Sequence, residues 1–259
     1  MGYVMYRGTI TPKTPEQVES MAVAGRILAR CHKMVKKAAR PGVTTAHLDE
    51  VAEKFIRSQG AEPAFKGYRG FPGSICASPN SMVVHGIPGK YELKRGDVLS
   101  IDIGVIKDGW VADAAQTYGI GPIGEPAQHL LEVTRDSLFT GIAEAKAGNT
   151  LGDVSAAIQR RVEADRLHVI KSLVGHGIGR QMHEEPQIPN YGEPGTGPVL
   201  EEGMTLAIEP MVNIGTDEIR MGSDHWAVYS ADGSLAAHFE FTIAVGADGP
   251  QILTPWHED

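Results

Sequence analysis

Leu93-Lys94-Arg95-Gly96-Asp97-Val98-Leu99-Ser100-Ile101-Asp102 and Leu200-Glu201-Glu202-Gly203-Met204-Thr205-Leu206-Ala207-Ile208-Glu209 share one pattern, Leu-x-x-Gly-x-x-Leu-x-Ile-acid. The two stretches are offset by 107 positions. Upstream, Gly42-x-Thr44 matches Gly148-x-Thr150 at an offset of 106. Two nearly equal offsets point to a duplicated unit rather than to chance. Each copy ends on an acidic residue, so the duplication also delivers a pair of carboxylates.

Working outward, each copy follows two helical segments. Thr14, Pro15 and Gln17 read as a cap, a first-turn proline and a capping box. Val18, Met21, Ala22, Ile27, Leu28, Cys31, Met34 and Val35 then recur at helical spacing until Arg40-Pro41-Gly42. A second helix is predicted from about Thr45 to Gln59. In the second half the helices are predicted over 126–147 and from Thr150 to about Asp165. Residues 61–90 read as irregular chain with short strands, and 175–198 as a long Gly/Pro-rich segment. Met204–Ile214 and Ala237–Val245 read as strands. The pattern predicts an α+β protein, one domain over 1–259 with a short N-terminal segment, 1–13. Its fused halves, about 14–120 and 125–248, would share a sheet.

Composition narrows the class. The chain has 259 residues, 42% hydrophobic and 22% charged, enough for a full core. Cys31 and Cys76 are its two cysteines, so no disulfide framework is expected and a reducing, cytoplasmic setting is the default. With 24 basic and 32 acidic residues the net charge is −8, which argues against nucleic acid or an anionic membrane as partner. No secretory signal or spanning segment is legible.

The chemistry gathers on a few acids and histidines. Asp108-Gly109 predicts a two-residue hairpin turn pairing Lys107 with Trp110. In that register Asp102 faces Ala115 and Asp113 faces Gly104, which puts both aspartates on one sheet face. Glu209 lies in the apolar run Ala207-Ile208-Glu209-Pro210-Met211, and Glu240 in Phe239-Glu240-Phe241-Thr242. Buried lone carboxylates are costly unless paired or metal-bound. His176 stands between Gly175 and Gly177, His183 follows in Met182-His183-Glu184, and His85 sits in Val84-His85-Gly86-Ile87-Pro88. Four carboxylates with histidine suit Mn, Fe, Co or Zn rather than a thiolate-seeking metal. Their charge favours two ions, which can activate a shared water and polarise a carbonyl. The residues alone thus describe a dinuclear metallohydrolase.

At these residues the chain resembles the type I methionine aminopeptidases, over nearly its whole length. The resemblance implies the pita-bread fold, two pseudo-symmetric halves with helices outside a curved antiparallel sheet. It implies that Asp113 and Glu240 bridge two divalent ions (Co, Mn, Fe or Zn), that Asp102 chelates one, and that His176 with Glu209 completes the other. Glu209 would then act as general base and acid, while His85 and His183 would contact substrate and stabilise the tetrahedral intermediate. The methionine pocket would be Phe65, Tyr68, Phe71, Cys76, Met182 and Trp226, and a monovalent cation would fit near Asn80. Substrates would be N-termini of nascent chains with a small second residue, met as a monomer and conceivably at the ribosome. A chain starting Met1-Gly2 would itself qualify. Phe241, Phe71 and Phe65 depart from the His, Tyr and Cys frequent in relatives. The short N-terminal segment leaves out a zinc-finger module, and Glu209 follows His183 by only 26 positions, which leaves no room for a type II insert. Two alternatives remain: an Xaa-Pro peptidase of the same fold, and a non-catalytic binding protein built on it.

Overall fold

A computed structural model describes residues 9–258; the Met1-Gly2 start and most of the short N-terminal segment lie outside them. The first half opens with α1 (Pro15–Ala38) and α2 (Thr45–Ser58), followed by the short strands β1 (Glu62–Pro63), β2 (Ile75–Pro79) and β3 (Met82–Val84). A long hairpin, β4 (Val98–Lys107) and β5 (Trp110–Gly119), closes it. The second half repeats the order with α3 (Glu125–Glu144) and α4 (Leu151–Ala164), then β6 (His168–Val169), β7 (Val174–Gly177) and β8 (Glu184–Pro189). β9 (Thr205–Ile208), β10 (Met211–Asn213), β11 (Ile219–Met221) and β12 (Val228–Ser230) lead to β13 (Ala236–His238), β14 (Phe241–Gly246) and β15 (Gly249–Ile252).

Local chemistry sets the helix ends. Thr14 caps α1 with Gln17 completing the box, and Thr150 caps α4 with Asp153. α3 stops at Glu144, three residues before the predicted end. The Asn149 side-chain Nδ2 donates to the Glu144 carbonyl at 2.9 Å, satisfying a terminal acceptor that another turn would have bonded.

The two matched stretches make the same bonds. The Gly42 amide donates to the Leu93 carbonyl at 2.8 Å, and the Gly148 amide to the Leu200 carbonyl at 2.9 Å. The Leu93 amide returns to Val43 at 2.9 Å, and the Leu200 amide to Asn149 at 2.8 Å. Thr44 bridges Glu92 as Thr150 bridges Val199.

The described residues form four sheets: in one β4 pairs with β1, β2 and β5, a second runs β15-β14-β9-β7-β8, and two three-stranded sheets run β13-β10-β6 and β11-β12-β3, all with antiparallel pairings. α1 packs on β4 and β5, and α3 on α4. A continuous apolar core runs between helices and sheets, from Leu28 and Leu48 through Ile101 and Ile103 to Leu206, Ile208 and Ile243. The first two sheets meet where β14 packs on β5. There the Thr242 hydroxyl accepts from the Asp113 amide at 3.0 Å and donates to the Asp113 carbonyl at 2.7 Å. The Glu240 amide donates to the Ala115 carbonyl at 2.9 Å.

Two stretches differ from the sequence reading. The 175–198 segment contains β7 and β8, whose glycines and prolines hide any alternation. Each predicted late strand is broken at an acid: β9 ends before Glu209-Pro210, and β13 ends before Phe239-Glu240. Pro210 cannot donate to a ladder, so a break there has a simple cause.

Candidate metal centre

The hairpin has the register that its turn demands. Lys107 pairs with Trp110, Asp102 with Ala115 and Asp113 with Gly104. Asp102 and Asp113 are thus diagonal neighbours on one face, and each carboxyl acts on the other's proton. Opposite them, the strand breaks turn Glu209 and Glu240 toward the same point. His176 arrives from β7, paired with Ala207.

The flanking glycines of His176 serve a different approach from the one their openness suggests. A Cβ at Gly175 would lie 2.3 Å from the Ala207 carbonyl oxygen, and one at Gly177 would lie 2.1 Å from that of Glu185. Neighbouring backbone, rather than ligand, fills that room and seats the imidazole. His176 Nδ1 donates to the Gly177 carbonyl at 2.8 Å, so Nε2 carries the free lone pair. That Nε2 stands 3.5 Å from Glu209 Oε1.

Two groups of donor atoms converge within 4.8 Å of one another: Asp113, His176 and Glu240, and Glu209, His238 and Glu240. Asp102 lies beside them, half-buried. Asp102 Oδ1, Asp113 Oδ1, Glu240 Oε1 and His238 Nε2 are buried without a hydrogen-bond partner. Four acidic side chains packed together with orphaned donor atoms are unfavourable alone and suited to a divalent cation. The donor set therefore fits metal. Five of the ligands expected from sequence (Asp102, Asp113, His176, Glu209 and Glu240) are brought together. His238 is not among them, although it precedes Glu240 by two positions, the spacing of one strand face.

Without metal the cluster must hold protons. Burial pushes Asp102 and Glu209 up to about 7, and burial with mutual repulsion pushes Asp113 and Glu240 well above the carboxylate range. Folding then takes up protons, and the stability they confer falls as pH rises past the unfolded carboxylate pKa near ~4 and on through about 7. His183 and His238, held neutral by burial, act oppositely, but only below the unfolded imidazole value near ~6.5. Above that pH the carboxylates set the trend, and the buried thiols of Cys31 and Cys76, pushed up by burial, add to it in the same direction. Metal-free protein should melt at a lower temperature at pH 8 than at pH 7. Adding metal should reverse the loss and release protons, measurable by calorimetry in buffers of different ionisation enthalpy. Metal uptake without proton release would refute this account.

The remaining expected residues surround the cluster. His183 is half-buried, its ring centroid 4.3 Å from that of His176, and its Nδ1 is 2.8 Å from the Tyr68 hydroxyl. Desolvation and the neighbouring His176 hold its pKa at about 2. With Tyr68 as donor, the neutral ring carries its proton on Nε2. His85 follows β3 in a left-handed conformation, φ 61°, on the open side of the site. Desolvation of the ring and the nearby His238 lower its pKa to about 4.

Phe65, Phe71, Cys76 and Met182 are buried in one apolar cluster, with Tyr68 and Trp226 packed against it. Phe71 meets Trp226 edge-on at 5.1 Å, and Cys76 pairs with Asp102 across β2 and β4. Phe65 and Met182 both close on Gly104, the register partner of Asp113; a Cβ there would come within 2.7 Å of Phe65 and 3.0 Å of Met182. The apolar cluster therefore abuts the carboxylates. Phe241 is no part of it. It is fully buried behind the centre and stacks on Trp256 at 4.5 Å, while Trp256 Nε1 donates to the Glu240 carbonyl at 2.9 Å. Asn80, φ 59°, is bound to Tyr91 and Asp97, with its side-chain oxygen taken by the Val98 amide.

Comparison with known proteins now becomes informative. The profile of metallopeptidase family M24 matches residues 19–247. Methionine aminopeptidase 1 of Bacillus subtilis is 51% identical over 242 residues, 93% of this chain and 98% of the relative. The methionine aminopeptidase of Clostridium perfringens is 50% identical over 242 residues, covering 93% and 97%. Among solved structures, the methionine aminopeptidase of Thermotoga maritima superposes with a TM-score of 0.94 at 44% identity, over 95% of this chain and 99% of that one. Prolidase from Pyrococcus furiosus shares the fold, at a TM-score of 0.76 and 22% identity, but the match spans only 65% of its length.

Proposed function

Since the chain belongs to metallopeptidase family M24, with the pita-bread fold that the sequence resemblance implied, we propose that it is a methionine aminopeptidase. It removes the first methionine from proteins and peptides with a small second residue. The observation that carries the reading is the convergence of Asp113, His176 and Glu240, with buried oxygens that no protein donor satisfies. A methionine side chain suits the neighbouring pocket, where thioether–aromatic contacts with Phe71, Tyr68 and Trp226 are favourable.

Asp102, Asp113, His176, Glu209 and Glu240 would hold two divalent ions, drawn from Co, Mn, Fe and Zn. When bound, such ions supply Lewis acidity to the first peptide carbonyl and make water nucleophilic at neutral pH. Glu209 accepts the proton from the attacking water and passes it to the leaving amine. His183 Nε2–H and His85 present donors to the oxygen on which negative charge develops. The free N-terminal amine of the substrate would bind beside the metal centre, which would confine cleavage to the first residue. The catalytic unit consists of two like halves, 14–120 and 125–248, and each contributes two of the four carboxylates. No helix of the described residues is long and apolar enough to cross a membrane. With two free, buried cysteines the enzyme works in the cytoplasm, as a monomer, on nascent N-termini.

The test is mass-detected cleavage by metal-stripped protein with Mn or Co added back. Met-Gly-Met-Met should lose its first residue only, and only with metal; an Ala-Pro peptide of similar length should survive. Cleavage of the Ala-Pro peptide alone would make it an Xaa-Pro peptidase. No cleavage with metal bound would make it a binding protein.

A further inference from the structure

His238 is a buried imidazole that the mechanism above does not use. Its Nε2 has no hydrogen-bond partner. It stands 3.6 Å from Glu209 Oε2 and 3.9 Å from Glu240 Oε2. Both distances exceed a normal N–H···O bond of about 2.7–3.2 Å. They match the separation of two atoms bound to one ion at about 2.0–2.2 Å each, which is roughly 3–4 Å. Glu209 thus lies between two imidazoles at almost equal distance, His176 at 3.5 Å on Oε1 and His238 at 3.6 Å on Oε2.

The residue is also held in place as a ligand would be. The Thr117 hydroxyl donates to the His238 carbonyl at 2.7 Å and accepts from the His238 amide at 2.9 Å. Thr242 clamps Asp113 in the same reciprocal way. A backbone fixed from both sides leaves the ring little freedom, and a preorganised donor loses little on binding.

We propose that His238 is a further metal ligand, giving the centre a second imidazole nitrogen from the side of Glu209 and Glu240. This rests on the reading of the cluster as a metal centre. Four carboxylates alone favour Mn among the candidate ions; each added imidazole moves preference toward Fe, Co and Zn.

The test counts imidazoles directly. Protein labelled with 15N-histidine and loaded with Co(II) should show two sets of imidazole resonances with the large contact shifts of directly bound rings, distinct from the smaller through-space shifts of the nearby His183. His238→Gln should show one and lose Co(II) affinity about 10–100-fold, the scale on which supporting residues already act. Its Mn(II) affinity should fall less. One set in the unsubstituted protein, or two retained in His238→Gln, overturns the proposal. If His238→Gln fails to fold without metal, by circular dichroism, His238→Ala takes its place, and a count of one in the unsubstituted protein still overturns it. Absence of Co(II) binding altogether would instead bring down the metal centre, and this ligand with it.

Discussion

Replacing Glu240 with Gln, or Asp113 with Asn, should remove aminopeptidase activity and metal binding together. Both acids belong to the tightest donor groups, are almost fully buried, and leave an oxygen without a protein partner. An amide keeps the shape but supplies neither the charge nor the second acceptor oxygen that a divalent cation needs. Since residues that only support a ligand cost about 10–100-fold in affinity or activity, loss of a ligand should reach at least the top of that range. Stability should move the other way. In metal-free protein burial and the neighbouring acids hold both far above their ordinary pKa, so at neutral pH each must take up a proton on folding. Each amide removes that need, so the metal-free variants should melt higher, by roughly 2–4 °C per kcal/mol relieved. Calorimetry with and without metal reads both effects. A variant that is inactive yet binds metal at full stoichiometry would show that the acid is not a ligand.

The parts of this protein legible in its sequence are those where one residue decides a geometry. Asp108-Gly109 set a two-residue turn, the turn set the register, and the register placed Asp102 and Asp113 on one face. Thr14 and Thr150 capped helices because their side chains have one local use. The repeated Leu-x-x-Gly-x-x-Leu-x-Ile-acid pattern marked two loops that make the same bonds. What was hidden depends on tertiary contact. β7 and β8 carry no alternation, since Gly175 and Gly177 answer to the carbonyls of Ala207 and Glu185 rather than to a pleat. The break at Phe239-Glu240 has no signal in an apolar run that reads as continuous, whereas the one at Glu209 is written in Pro210. Phe241 stands where relatives often have His, and its ring is spent on Trp256, whose Nε1 donates to the Glu240 carbonyl. His238 had a spacing signal that a single histidine among ten could not raise above background. Only its burial beside Glu209 and Glu240 gives it meaning.

The second large effect separates ligands from donors. His183→Ala should lower kcat by about 10²–10³-fold, the usual loss when one donor to a developing oxyanion is removed. Metal content should stay unchanged. The ring lies 4.3 Å from that of His176, close enough for confusion of the two roles, yet its bonding differs. His176 has its Nδ1 tied to backbone and its Nε2 turned to Glu209; His183 has its Nδ1 tied to Tyr68 and belongs to neither donor group. A neutral ring pinned at Nδ1 can offer an N–H from Nε2, which serves a substrate oxygen and not a cation. Since the donor acts where charge develops, KM should change far less than kcat. Tyr68→Phe should reproduce part of the loss, because the ring then loses the bond that fixes its tautomer and orientation. If His183→Ala instead strips the metal, the imidazole is a ligand, and the division of labour between His176 and His183 must be reversed.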